Sequence, residues 1–209
     1  MSRPSQIRFL SRFAGAYDPV VRLMGFPSLW RGVADVAAPR LGEPALDVCT
    51  GSGGVALELA RRGARVIGID LAGGMLRRAH RKRDAGALPN VTFLQMDGRR
   101  LAFRDRSFPL VTTAMALHEM AEVEREHVLR EIVRVASHRV VIAEYHLPRD
   151  PTRRLWFRAG HLFEYLESDD FHSFVQRDFG ERLEQAGLTV RLPKAFGGYR
   201  VWSCLTHRA

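Results

Sequence analysis

Short apolar runs alternate with amphipathic stretches through the middle of the chain. The apolar runs are typical of strands buried on both faces of a sheet, and they cover Ala45–Cys49, Arg65–Ile69, Val91–Met96, Leu110–Ala114 and Val140–Tyr145. The stretches with helical periodicity are Val55–Arg62, Gly74–Asp84 and Glu122–Ala136. This alternation predicts an α/β fold with a doubly wound, mostly parallel sheet and helices on both of its faces.

The last quarter of the chain has a different pattern. Aromatic residues are concentrated between residues 153 and 179, where their helical spacing favours packing over a substrate-lining role. A helix is expected at Phe179–Ala186. Leu188–Leu192 and Arg200–Thr206 then alternate like two antiparallel strands.

A glycine-rich break follows the first apolar run. The segment Asp47–Ala56 passes from the end of the strand through Gly51 and Gly53 into a helix. Glycine permits positive φ and the close approach of a ligand, and the N–H groups of the following helix face the loop. The second apolar run ends in Asp70, a position typical of an acid that binds a ribose. The pattern indicates a site for a nucleoside-containing cofactor.

Two cofactor classes compete for this loop. The spacing Gly51-x-Gly53-x-x-Ala56 fits the dinucleotide fingerprint in its alanine-ended form. Asp47, however, stands directly before the turn, where its carboxylate would repel a pyrophosphate but balance the ammonium and sulfonium groups of S-adenosylmethionine. Asp97 follows the third apolar run and is suited to accept a hydrogen bond from an adenine amino group. These acids and the antiparallel tail favour S-adenosylmethionine, with a nucleotide-binding oxidoreductase as the alternative.

At these positions the chain resembles the class I S-adenosylmethionine-dependent methyltransferases. Asp47 to Gly53 is similar to their motif acid-x-Gly-x-Gly-x-Gly, with Cys49 in place of the first glycine. The run 70–76 is similar to their Asp-x-Ser-x-x-Met-Leu run. Asp97 with residues 101–108 resembles their acid, Leu-Pro-Phe and acid-x-Ser-Phe-Asp stretch, although Pro109 replaces the last aspartate.

The N-terminal segment adds a second resemblance. Tyr17-Asp18, Gly25 and Trp30-Arg31 are similar to the corresponding segment of ubiquinone and menaquinone C-methyltransferases. Together the similar positions run from about residue 17 to residue 202. The resemblance implies a Rossmann-like, seven-stranded sheet with an antiparallel C-terminal strand.

The resemblance also implies which residues hold the cofactor. The cofactor-binding positions it implies are Asp47, Cys49, Gly51, Gly53, Asp70, Leu71, Met75, Asp97, Gly98 and Met115. In this scheme Asp47 lies at the methionine end, Asp70 binds the ribose hydroxyls, and Asp97 and Gly98 hold the adenine edge. Two simpler interpretations stay open, since Asp70 can cap the next helix and Met75 can be ordinary core.

Candidates for a general base come from two other segments. Methyl transfer is an in-line displacement, so a base matters only where the nucleophile carries a proton that must leave. His118, in the segment after the fourth strand, titrates near neutrality and is the first candidate, with hydrogen bonding inside its loop as the alternative. Tyr17 is the second candidate and would close over the methionine carboxylate, unless its ring is simply core.

The segment 115–120 also bears on the methyl acceptor. It is not the Asn/Asp-Pro-Pro-aromatic motif of amino-directed DNA and RNA methyltransferases, and no Pro-Cys nucleophile occurs. We therefore expect a small, aromatic or lipophilic acceptor. The net charge of +9, which is densest at residues 77–83, keeps three interpretations open: a solvated helix face, an RNA-modifying methyltransferase and peripheral membrane contact. A non-catalytic binding module that keeps the fold is a further alternative.

The 209 residues are most simply one domain with four segments. We expect an N-terminal helical lid at 1–43, a cofactor-binding core at 44–146, a helical and partly substrate-covering segment at 147–187, and a C-terminal strand pair at 188–209. No apolar run approaches the ~18 residues of a membrane helix, and the N-terminus lacks the apolar core of a secretory signal. The two cysteines suggest neither a disulfide framework nor a metal site, so the expected location is the reducing cytoplasm.

Overall fold

The computed structural model describes residues 26–146, 150, 152, 174, 178–191, 193–196 and 199–206. Its elements, in chain order, are α1 (Phe26–Ala37), β1 (Pro44–Val48), α2 (Gly54–Arg61), β2 (Arg65–Asp70), α3 (Gly73–Ala85), β3 (Val91–Gln95), β4 (Phe108–Ala114), a 3-10 turn (Leu117–Glu119), α4 (Glu122–Val135), β5 (Ala136–Tyr145), α5 (Phe179–Gln185), β6 (Leu188–Val190), β7 (Lys194–Phe196) and β8 (Tyr199–Thr206). Tyr17 and most of the predicted segment 147–187 lie outside the described residues.

One sheet contains all of the described strands, in the order β3-β2-β1-β4-β5-β8-β6. Strands β1 to β5 pair in parallel, whereas β8 runs antiparallel to β5. The short strands β6 and β7 pair with opposite ends of β8, so eight strands fill seven positions. The predicted doubly wound, mostly parallel sheet with an antiparallel C-terminal strand is confirmed.

Local differences from the predicted strands have physical causes. β4 begins at Phe108 instead of Leu110, and its register with β5 shifts between these residues. Pro109 lies at that shift, where a residue without an N–H group is tolerated. The helix α4 continues into β5 without a loop, since Ala136 both caps the helix and begins the strand. The strand β7 was not predicted, because three residues give too short a pattern to recognise.

Helices cover both faces of the sheet. On one face, buried side chains of α1, α2 and α3 form a single apolar cluster with the strands. On the other face, α4 and α5 form the second cluster. Trp30 of α1 lies against the start of α2, where a β-carbon on Gly54 would come within 2.4 Å of the indole ring. This contact brings α1 over the glycine-rich break.

The described residues contain no candidate for a membrane-spanning helix or for a metal site. None of the described helices combines the length and the apolar character needed to cross a bilayer. No group of three or more His, Cys, Asp or Glu side chains in this part of the chain is arranged to hold a metal ion.

Candidate active site

A cavity opens at the edge of the sheet where β1, β2 and β4 end. The chain winds in opposite directions from β1 and β4, which are neighbours in the sheet, and ligands of such sheets bind beside this reversal. The cavity holds about 1200 Å³ of empty space, counting its open mouth.

Most of the predicted cofactor-binding positions line this cavity. Those in its wall are Asp47, Cys49, Gly51, Asp70, Leu71, Met75, Gly98 and Met115. The other two, Gly53 and Asp97, are not part of the wall. Eight of the ten predicted positions therefore border the same cavity.

Gly53 supports the glycine loop from behind. Its φ is 82°, and a β-carbon there would come within 2.8 Å of the Phe93 ring and 3.1 Å of the Ala79 side chain. Both the left-handed backbone and the close approach require glycine. Gly53 thus fixes the shape of the loop against α3 and β3 without bordering the cavity.

Two non-glycine residues of the wall have left-handed backbones. Cys49, directly after β1, has a φ of 57°, and Met115, directly after β4, has a φ of 55°. β1 and β4 are neighbours, so both turns occur side by side at the same edge of the sheet. An L-residue in this region is strained by roughly 1–2 kcal/mol, and such strain is typical of ligand sites.

Asp47 is buried at the end of β1, with 2% of its surface exposed. Its two carboxylate oxygens accept hydrogen bonds from the hydroxyls of Thr50 (2.6 Å) and Thr112 (2.7 Å). Burial raises the pKa of Asp47 to about 6, although the two hydroxyls oppose the rise. At neutral pH the carboxylate is charged in a poorly hydrated place, where a cationic ligand would stabilise it.

Asp70 joins β2 to the glycine loop and to α3. One carboxylate oxygen accepts the N–H of Gly51 (2.8 Å) and the other accepts the N–H of Ala72 (2.8 Å). Burial raises the pKa of Asp70, and these backbone hydrogen bonds limit the rise. The Ala72 contact lies at the start of α3, so Asp70 supports that helix as well as lining the cavity.

The two residues predicted to bind adenine, Asp97 and Gly98, have different surroundings. Both carboxylate oxygens of Asp97 contact the guanidinium of Arg99, with the shortest distance at 2.6 Å, and Arg99 also reaches Glu124 (2.8 Å). Gly98 borders the cavity, and a β-carbon there would come within 3.2 Å of Val48. Only Gly98 of the pair is therefore positioned against a ligand in the cavity.

A fully buried carboxylate holds the chain after β4. Glu144, in β5, accepts the N–H groups of Ala116 (2.9 Å) and Leu117 (2.6 Å) with one oxygen. Its other oxygen lies 2.7 Å from Nδ1 of His118. An ionised carboxylate only accepts hydrogen bonds, so Nδ1 of His118 is the donor in this contact when Glu144 is ionised.

His118, the predicted general base, lies behind the cavity wall. Its side chain is buried, and the imidazole packs edge-on against the Tyr145 ring at a centroid distance of 4.7 Å. His118 is not among the residues that line the cavity. Its contact with Glu144 matches the alternative in which the imidazole stabilises its own loop.

The next two residues, Glu119 and Met120, do reach the cavity. Arg125 of α4 holds this part of the chain by donating to the carbonyls of Leu117 (2.9 Å) and Met120 (2.7 Å). The arginine is itself buried. The 3-10 turn is therefore fastened from two sides, by Glu144 of β5 and by Arg125 of α4.

The charge of the described cavity wall is negative. It contains the carboxylates of Asp47, Asp70 and Glu119, and none of the described wall residues is basic. Such a field attracts cations and repels phosphate groups. The residues therefore fit S-adenosylmethionine, which carries a sulfonium and an ammonium group, and disfavour a dinucleotide.

Sequence reasoning missed several residues of this site, and four of them show which signals were available. Phe26 and Trp30 lie on one face of α1, and their i,i+4 spacing was a signal that a helix presents them together. Glu119 is adjacent to the candidate His118, so its position in the loop was also visible. Thr112 gave no signal, since its contact with Asp47 joins residues on two strands.

Comparison with known proteins likewise indicates a methyltransferase. Residues 45–139 match the family described as a methyltransferase domain. A demethylmenaquinone methyltransferase from Thermobifida fusca (strain YX) is 31% identical over 205 residues, which cover 92% of this chain and 86% of the relative. A 2-phytyl-1,4-naphtoquinone methyltransferase from Nostoc punctiforme is 31% identical over 193 residues, which cover 88% of this chain and 80% of the relative.

A solved structure shares the architecture. A SAM dependent methyltransferase from Aquifex aeolicus has a TM-score of 0.63 with 20% sequence identity. The match covers 98% of this chain and 99% of that one. At this level of identity the likeness concerns the fold.

Proposed function

Since the chain belongs to the class I S-adenosylmethionine-dependent methyltransferases and is similar to the ubiquinone/menaquinone C-methyltransferase group, we propose that its methyl acceptor is a quinone-type ring. The two relatives described above are named for naphthoquinone-type substrates, and one name includes a phytyl chain. A sulfonium-borne methyl group is electrophilic and needs an electron-rich acceptor. The acceptor is therefore the reduced, hydroxyl-bearing ring, methylated at a ring carbon.

The observation that carries this proposal is the composition of the cavity. Its carboxylates suit a cationic methyl donor, whereas the apolar side chains of its lining suit a flat ring. These side chains come from α1, the end of β4, the end of the 3-10 turn and α4, and they are Phe26, Trp30, Met115, Met120 and Val128. Small-molecule sites usually combine such an apolar surface with a few polar groups that fix orientation.

Five wall residues would hold the cofactor. The buried charge of Asp47 would balance the ammonium and sulfonium groups, and Asp70 would receive the ribose hydroxyls while its backbone contacts hold the loop. Leu71 and Met75, which line the cavity, would pack near the ribose and adenine. Because Arg99 holds the Asp97 carboxylate, Gly98 would take the place of Asp97 at the adenine edge.

When bound, S-adenosylmethionine supplies an activated methyl group, so the protein has little bond-making chemistry left to do. The walls align the acceptor ring and exclude water, which is how an enzyme lowers the barrier of a displacement between two bound molecules.

Two alternatives from the sequence receive less support. A dinucleotide-dependent oxidoreductase requires a pyrophosphate next to Asp47 and Asp70, which would repel it. An RNA acceptor needs basic residues near the reacting atoms, and the described wall contains none. The basic residues of α3 remain compatible with a solvated helix face.

Methyl transfer with a deuterium-labelled donor tests the proposal. We expect the wild-type protein to transfer a trideuteromethyl group from labelled S-adenosylmethionine to a short-tailed demethyl naphthoquinol kept under reducing conditions. Mass spectrometry measures the transfer, and NMR identifies the methylated carbon. Asp70→Ala should weaken S-adenosylmethionine binding by roughly 10–150-fold, the value of a lost hydrogen bond to a charged group.

Asp84→Ala is the matched control, since Asp84 is exposed at the end of α3 and away from the cavity wall. It should bind and react like the wild type. Tight binding of S-adenosylmethionine with no methylated quinol would overturn the proposed acceptor. Label appearing in RNA under the same conditions would support the RNA alternative.

A further inference from the structure

We propose that Glu119 is the base that receives the proton of the acceptor's ring hydroxyl, and that Glu144 and His118 are positioning residues for it. The inference rests on the proposed quinol acceptor. It moves the base from His118, the residue that its type alone suggested, to the neighbouring carboxylate that lines the cavity.

Glu119 differs from the other two carboxylates of the wall. Asp47 and Asp70 each accept two hydrogen bonds from the protein, which fix the orientation of both carboxylates against the loop and strand ends. No hydrogen bond from a described residue to Glu119 is formed, and 54% of its side chain is exposed. It is therefore the described wall carboxylate that can both meet an acceptor hydroxyl and exchange a proton with solvent.

Its position is fixed despite this exposure. Glu119 ends the 3-10 turn, whose N–H groups and carbonyls are held by Glu144 and Arg125. Nδ1 of His118 donates to Glu144, so the other ring nitrogen, Nε2, is the one directed towards Glu119, at 3.9 Å from its carboxylate. A base carried on a fastened turn has its backbone already in place, and only its side chain has to adjust when the acceptor binds.

The surroundings of Glu119 make its carboxylate more basic. The protein packed around the carboxyl raises the pKa of Glu119, the charge on His118 opposes the rise, and Glu144 and Asp70 add to it. A carboxylate made more basic in this way accepts a proton more readily near neutral pH.

The proton balance of the reaction is complete without another reactant. The acceptor O–H bond breaks, its electron pair stays on the ring oxygen, and the proton goes to Glu119. The electron-rich ring carbon forms the bond to the methyl group while the bond between that methyl group and sulfur breaks, and the electron pair of the broken bond stays on sulfur. The proton on that carbon then leaves to water, the ring regains aromaticity, and Glu119 returns its proton to the ring oxygen. One proton is released for each methyl group transferred.

Glu119→Gln tests this assignment, with Glu126→Gln as the control on the exposed face of α4. At saturating S-adenosylmethionine we expect Glu119→Gln to lower kcat/KM for the quinol by at least about 100-fold. The wild-type rate should fall as pH drops through a pKa above the ordinary carboxyl range, and this acidic limb should be absent from Glu119→Gln. Both variants should bind S-adenosylmethionine with wild-type affinity in calorimetry.

Two further measurements separate proton transfer from a merely structural effect. A halogenated quinol, whose hydroxyl is already ionised at the assay pH, should reduce the difference between Glu119→Gln and the wild type. Carbon-13 labelled glutamate should give one side-chain carboxyl signal that titrates above the usual range and is missing in Glu119→Gln. An equal loss on both quinols, or wild-type kinetics in Glu119→Gln, would overturn the inference.

The same assays distinguish this inference from the proposed function. Wild-type methylation of the quinol together with full activity of Glu119→Gln removes the base and leaves the acceptor in place. A wild-type protein that binds S-adenosylmethionine but methylates no quinol overturns the acceptor, and the assignment of Glu119 with it.

Discussion

The two walls of the cavity are built in different ways. One wall lies at the ends of β1 and β2, and we call it the cofactor wall. There, backbone N–H groups of the glycine loop and of the start of α3 converge on Asp70, a carboxylate that also faces the cavity. In the wall after β4, the carboxylate that receives the backbone is Glu144, which is fully buried and faces only protein. The comparison teaches that a buried carboxylate can face the cavity on one wall and hold the backbone of the neighbouring turn on the other.

The largest effect should come from Glu144→Ala. Its removal leaves two backbone N–H groups and the Nδ1 proton of His118 without their acceptor in a buried place. We expect the free energy of unfolding to fall by about 3–5 kcal/mol, measured by urea denaturation.

Glu144→Gln is the paired variant, because its amide oxygen still accepts the two backbone N–H groups. It should lose less stability and keep wild-type affinity for S-adenosylmethionine. If Glu144→Ala kept wild-type stability but lost the cofactor, the division of roles between the two walls would be wrong.

Asp47→Asn should raise the free energy of unfolding at pH 8 instead of lowering it. Burial raises the folded-state pKa of Asp47 to about 6 from 3.8, so its protonated form stabilises the fold below pH 4, and this contribution is lost as pH rises to 6 and above. At pH 8 the asparagine variant should therefore be more stable by roughly 1–3 kcal/mol. It should also bind S-adenosylmethionine more weakly, because the buried counter-charge is gone.

Urea denaturation at pH 4 and pH 8, with calorimetry at pH 8, measures both effects. The gain in stability should be present at pH 8 and absent at pH 4. A variant less stable than the wild type at pH 8 would mean that the Asp47 charge supports the fold, as Glu144 does on the other wall.

The smallest effect should come from Cys49→Gly. Glycine adopts the left-handed backbone of this position without strain, and the gain is partly offset by the flexibility of glycine in the unfolded chain. We expect up to about 1 kcal/mol of added stability, which corresponds to a Tm increase of roughly 2–4 °C. Cys49→Ala keeps the strain and should give no increase, whereas a lower Tm for Cys49→Gly than for Cys49→Ala would argue against strain in this wall.

The sequence predicted which residues gather in the cofactor wall, because the signals for these residues are local in the chain. The glycine loop has a fixed spacing, and Asp70 ends a recognisable apolar run, so their meeting at one edge follows from a parallel sheet. Asp97 is the exception, since Arg99 two positions further on competes for its carboxylate. That arginine was visible in the sequence, but its preference for Asp97 over solvent was not.

The wall after β4 was less predictable because it depends on contacts between distant residues. Glu144 reaches the 3-10 turn from the end of β5, 28 positions from Ala116 and 26 positions from His118. Residue type alone favoured His118 as the base, since imidazole titrates near neutrality. In the fold the His118 ring faces Glu144, and Glu119 lines the cavity. This arrangement depends on the pairing of β4 with β5, which brings Glu144 next to the turn.

A crystal structure with S-adenosylhomocysteine and a quinol analogue is the most direct test of this two-wall account. S-Adenosylhomocysteine should lie against Asp47 and Asp70, and a ring hydroxyl of the analogue should lie within about 2.6–3.2 Å of the Glu119 carboxylate. The account would be contradicted if the nucleoside lay against Glu119, or if the ring hydroxyls pointed away from it while the ring occupied the cavity.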